Sequence, residues 1–138
     1  MLTAHYIQLF DELRTEKNAP HKPILLLSVF SLFFHQQQQT EIIEITPEFK
    51  ATFQQEWQKY VVADGWICDW TMPYYHMRSE PFWCLDERAK RTQSSLKEYP
   101  AQIDADLVRL CRNPYTCRAL YAFVVQRYFY DNDFMRLK

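Results

Sequence analysis

Asn18-Ala19-Pro20-His21-Lys22-Pro23, running directly into Ile24-Leu25-Leu26-Leu27, is the stretch whose reading decides the fold. Pro20 and Pro23 stiffen the entry, and proline is tolerated in a first helical turn because its missing N–H would have been unpaired there anyway. The apolar run continues to Phe34, interrupted only by Ser28 and Ser31. This pattern predicts a helix over 21–35 that is apolar nearly all round and therefore central, with other elements packed about it. His21 and Lys22 then sit at its positive end, where backbone N–H groups and side-chain cations can meet an anion such as a phosphate.

Working outward, Tyr6, Leu9, Phe10 and Leu13 recur at helical spacing and predict a helix over 2–14, followed by a polar link over 15–19. Beyond the central helix, the glutamine tract 36–39 reads as a solvated linker, and the β-branched residues of 41–45 as a short strand. Thr46 before Pro47 is a helix start, and Phe49, Phe53, Trp57 and Tyr60 form one stripe of a helix ending at 60 or 61. Asp64-Gly65 marks a turn. Residues 74–77 and 82–85 read as two strands joined across Arg78-Ser79-Glu80-Pro81, and 86–99 as a loop or short helix. The last third reads as two helices, 104–112 ending at Asn113-Pro114, and 115–130 with Leu120, Phe123, Val124, Arg127 and Tyr128 on one stripe. No repeat or boundary divides residues 1–138. The expected fold class is α+β, a mainly α-helical single domain with a small antiparallel β-sheet or hairpin.

At 138 residues, 48% hydrophobic and 17% aromatic, with Gly65 the single glycine, the chain has the makings of a packed core. A net charge of -1 means that any nucleic acid would require the cations to be concentrated on one face. Cys68, Cys84, Cys111 and Cys117 form no C-x-x-C pair, and no histidine stands at finger spacing, so neither a metal site nor a cofactor is expected. Buried free thiols in a reducing cytoplasm are the expectation. No basic-then-apolar leader is read at Met1 and the longest apolar run is too short to span a bilayer, so a soluble cytoplasmic protein is the expectation.

The second informative stretch is Met72-Pro73-Tyr74-Tyr75-His76-Met77-Arg78, with Phe82-Trp83 close behind. On a strand, Tyr74, His76 and Arg78 would share a face. His offers a donor and an acceptor to a base edge, and Arg a bidentate fork to phosphate or guanine. Tyr74 would either stack on a flipped base or be buried. Arg88, Lys90 and Arg91 form a local basic cluster, either a solvated loop or a source of phosphate steering.

Taken in order and separation, the two stretches resemble the N-terminal domain of HNH-type restriction endonucleases. One branch of that family is the sulfur-binding domain, which recognises phosphorothioate-modified DNA. The resemblance implies DNA contacts from His21 and Lys22, and a pocket at the positions of Met72, Pro73 and His76, of which only the proline matches. With an imidazole where that branch has a small alanine, little preference for sulfur is expected. The resemblance further implies double-stranded DNA, modified in backbone or base, as partner, and a separate HNH nuclease domain or subunit; homodimerisation is left open. His5, His21, His35 and His76 are scattered, and no Ser-His-Asp set, Walker loop or clustered carboxylate motif appears, so the chain is expected not to be an enzyme. The alternatives are a protein-interaction module and a small-ligand sensor. A basic face formed by Lys22, Arg78, Arg88, Lys90 and Arg91 favours DNA; a closed pocket around His76 without that face favours the sensor.

Overall fold

A computed structural model describes residues 2–16, 18–62 and 64–130. The described residues form seven α-helices and a small sheet: α1 (Leu2–Asp11), α2 (His21–Phe34), β1 (Ile42–Ile43), α3 (Pro47–Tyr60), α4 (Thr71–His76), β2 (Trp83–Cys84), α5 (Gln93–Glu98), β3 (Ala101–Ile103), α6 (Ala105–Arg112) and α7 (Pro114–Val125). A 3₁₀ turn (Met77–Ser79) prolongs α4, and a π-turn (Gln126–Tyr130) prolongs α7. The α+β, mainly helical class read from the sequence is the class observed.

α2 is central, as its unbroken apolarity requires. It packs against α3, α4, α6 and α7, and its residues are buried almost without interruption from His21 to Phe33. Ser28, fully enclosed, donates its hydroxyl to the Ile24 carbonyl at 2.7 Å, so no buried polar group is left open there. Strong local caps place the flanking helices. Thr46 accepts the Phe49 N–H at 3.0 Å ahead of Pro47. Asn113 accepts the Tyr115 and Thr116 N–H groups ahead of Pro114. The turn at Asp64-Gly65 requires its glycine, which stands at φ +100°.

Two expectations fail. Residues 74–77 are not a strand but the end of α4 and the turn after it. Asp69, ahead of the helix, accepts both the Thr71 N–H and its hydroxyl, and Tyr74 in the helix and Met77 in the turn, three apart, are fully buried. That packing overrides the β-propensity of the aromatics. The partner of β2 is instead β3, a strand the sequence reading missed, in an antiparallel sheet of order β1-β3-β2. The thiols also divide: Cys111 and Cys117 are buried, whereas Cys68 and Cys84 are exposed, against the expectation that all four lie inside. No described helix is long and apolar enough to cross a membrane.

Candidate nucleic-acid interface

The two motifs, fifty residues apart in sequence, meet at one open cavity of about 600 Å³. His21 and Lys22 reach it from the first turn of α2, Met72 and His76 from α4, and Arg78 and Ser79 from the 3₁₀ turn. Arg14, Thr15, Glu16 and Ala19, between α1 and α2, and Trp66, before α4, complete the wall.

His21 does not face solvent. It is 3% exposed, with its ring between Trp57 and Trp66, and Nε2 donates to the Ile67 carbonyl at 2.8 Å. A carbonyl can only accept, so Nδ1 carries no proton in the neutral ring, and it has no partner among the described residues. Burial lowers the pKa of this imidazole; the Ile67 carbonyl and Asp69 pull it up and Arg91 pushes it down, leaving it below its ordinary value. His21 therefore pins the 64–70 segment to α2 as a neutral ring, not as a cation offered to phosphate.

Lys22 is likewise not the free cation expected at a helix start. Its Nζ lies 2.7 Å from the Glu80 carboxylate and 3.1 Å from the Ser79 hydroxyl, and Glu80 is 4% exposed. The same Glu80 oxygen accepts the Arg14 backbone N–H at 2.9 Å. A buried pair of this kind is tolerated because its desolvation is offset by close geometry and extra hydrogen bonds.

Tyr74, expected either to stack on a base or to be buried, is fully enclosed. Its hydroxyl donates to the Ile43 carbonyl at 2.5 Å and accepts the Ala101 N–H at 2.7 Å, bridging β1 and β3. Burial pushes this phenol well above its ordinary value. Pro73 is buried in α4 and does not line the cavity, so of the three positions assigned to the pocket only Met72 and His76 do.

His76 and Arg78 are exposed and do reach a common site, although through a helix end and a turn rather than one strand face. The His76 pKa is lowered, first by partial burial and then by the charges of Arg91, Arg78 and Lys22, with Glu16 opposing. Lys22 and Arg91 are themselves paired with Glu80 and Asp69, which leaves Arg78 as the cation beside this ring without a carboxylate partner among the described residues. The Arg78 guanidinium lies 4.2 Å from the Tyr75 ring centre. It has no carboxylate partner among the described residues, and neither does Arg14.

The continuous basic face expected of Lys22, Arg78, Arg88, Lys90 and Arg91 is not formed. Arg88 grips Asp86 with two nitrogens, holding that carboxyl down to about 2, and packs over Tyr99. Arg91 bonds Asp69 at 2.9 Å. Lys90 is exposed, and none of these three lines the cavity. Arg14 and Trp66 are wall residues that the sequence reading missed. Neither carries a motif, and only their spatial neighbours mark them. Among the described residues no three His, Cys, Asp or Glu side chains gather as a metal-ligand group.

No family model matches the chain, and no curated protein matches it. Its fold is similar to that of ScoMcrA, described as a Type IV phosphorothioation-dependent restriction endonuclease, with a TM-score of 0.64 and 18% identity. The superposition covers 90% of this chain and 25% of that one. The chain thus spans a quarter of the length of this structural neighbour, and the likeness shows a shared fold.

Proposed function

We propose that this chain is a recognition module for double-stranded DNA that carries a backbone or base modification, positioning a separate HNH nuclease domain or subunit and cutting nothing itself. The observation that carries this reading is the convergence of the two motifs on one open cavity, where exposed His76 and Arg78 stand together. Phosphate contacts supply most of the affinity of such modules, and groups in the pocket supply the discrimination. The fold shared with a phosphorothioation-dependent enzyme supports the reading.

The pocket chemistry favours an ordinary phosphate oxygen or a base edge over sulfur. Sulfur is larger and less strongly hydrated than oxygen and suits a small apolar recess, whereas here an imidazole fills the wall beside Met72. The test is an anisotropy titration of plain, phosphorothioated and base-modified duplexes at two salt concentrations. Arg78→Ala is expected to weaken all duplexes alike and to flatten the salt dependence by about one unit of slope. Phosphorothioate is expected to gain less than tenfold, or ~1.4 kcal/mol. A larger preference, lost in Met72→Ala, would make the pocket a sulfur site. Unchanged affinity and slope in Arg78→Ala would remove the proposed interface.

A further inference from the structure

Resting on the DNA reading above, we infer that Arg14, and not Lys22, supplies the phosphate-binding cation that accompanies Arg78 at this cavity, with Lys22 and Glu80 acting as positioning residues. Lys22 has its charge already placed. Its Nζ is held by Glu80 at 2.7 Å and Ser79 at 3.1 Å, and the residue is 9% exposed. Drawing Lys22 out to a phosphate would leave the Glu80 carboxylate buried and unpaired beside a second anion, an arrangement opposed by both desolvation and repulsion.

Arg14 shows the opposite pattern. Its backbone is fixed, and its side chain pairs with no carboxylate among the described residues. The Leu13 N–H donates to the Tyr128 hydroxyl at 3.3 Å and the Arg14 N–H to Glu80 at 2.9 Å, so two successive amides hold the chain just after α1 ends. The exposed Arg14 side chain lines the same cavity as Arg78, with no carboxylate within ion-pair distance among the described residues; Glu16, the acid on that wall, makes no pair with it. A guanidinium fork on an anchored backbone suits bidentate contact with phosphate oxygens. Glu80 thus joins three segments, taking the Lys22 ammonium from α2 and the Arg14 N–H from the α1–α2 link onto the turn after α4.

The experiment measures the slope of log affinity against log salt for the full chain with a plain duplex. Arg14→Gln is expected to lower the slope by about 0.9, the value for one lost phosphate contact. The double variant Lys22→Met/Glu80→Gln, which removes both charges and keeps an acceptor for the Arg14 N–H, is expected to retain the full slope. The reverse pattern overturns the inference while leaving DNA binding intact. Absence of duplex binding by the unaltered chain at any salt would instead remove the DNA reading, and this inference with it. Reductive methylation gives a readout independent of any variant. Lys22 is expected to stay unmodified in both free and DNA-bound protein, whereas Lys59 and Lys90 react. Modification of Lys22 in the free protein that DNA then blocks would make it the contact.

Discussion

At its first turn α2 buries two polar side chains and ties them to partners far along the chain, His21 Nε2 with Ile67 and Lys22 with Glu80, 46 and 58 residues away. At its last turn the same helix ends among its neighbours. Gln36 stands at φ +62°, its N–H donates to Phe33 and that of Gln37 to Leu32, while His35 Nδ1 bonds the Ser31 carbonyl. The second pattern is a Schellman stop, complete within a few residues. One end is a local device for ending a helix. The other is a junction where three distant segments are tied, and the cavity opens at the junction. Polar burial costs stability wherever it is not matched, and at this end of α2 Lys22 and Glu80 match one another.

The largest expected effect breaks the junction. Lys22→Met leaves Glu80 buried without its cation, and truncating one partner of a buried pair typically costs about 3–5 kcal/mol. Lys22→Met/Glu80→Gln is expected to recover most of that loss. Urea-unfolding midpoints of the two variants check it; a single variant costing less than about 1 kcal/mol would mean that the pair is solvated in solution and the junction is looser than described.

The legibility of the sequence divides along the same line. The helix start at Thr46-Pro47 lies where the residues alone place it, because its cap is local; Asn113-Pro114, read as the end of one helix, also caps the start of the next. The centrality of α2 follows from its apolar circumference. The α4 segment was misread because its aromatics suit a strand, while the spacing of buried Tyr74 and Met77 and the Asp69–Thr71 bonds decide for a helix. β3 is three residues long, and the single alternation Ala101-Gln102-Ile103 is too short to mark a strand. At the site, the two motifs meet at one cavity that His76 and Arg78 line. The fates of His21, Lys22 and Tyr74 depended on Ile67, Glu80, Ile43 and Ala101, partners that no local pattern couples to them.

A smaller effect sharpens the comparison through pH. The pKa of His21 is lowered in the folded chain, chiefly by burial, as is that of His76. Above the unfolded value of 6.5 both states hold these rings neutral, and stability does not depend on them. As pH falls through 6.5 the unfolded chain takes up protons that the folded chain resists, so stability falls until the folded values are reached. His21→Gln, whose amide can still donate to Ile67, is expected to flatten this loss in part, with His76 supplying the remainder. Unfolding midpoints at pH 7.5 and 5.5 measure it, and an unchanged pH dependence in the variant would mean that His21 is not the enclosed neutral ring of the junction.

The smallest effect belongs to the other end of α2. A left-handed conformation costs a residue with a Cβ about 1–2 kcal/mol, and glycine loses about 0.5–1 kcal/mol of that advantage to the entropy of the unfolded chain. Gln36 is exposed, and its side-chain amide makes no hydrogen bond among the described residues, so nothing else is given up on replacing it. Gln36→Gly is therefore expected to stabilise the fold by about 0.5–1 kcal/mol, visible as a higher unfolding midpoint. Gln36→Ala, which keeps the Cβ, is expected to gain nothing. Because the stop is built within residues 31–37, neither variant should alter the salt slope of duplex binding. A change in that slope would show that the two ends of the helix are coupled, and that the local stop also helps to set the junction.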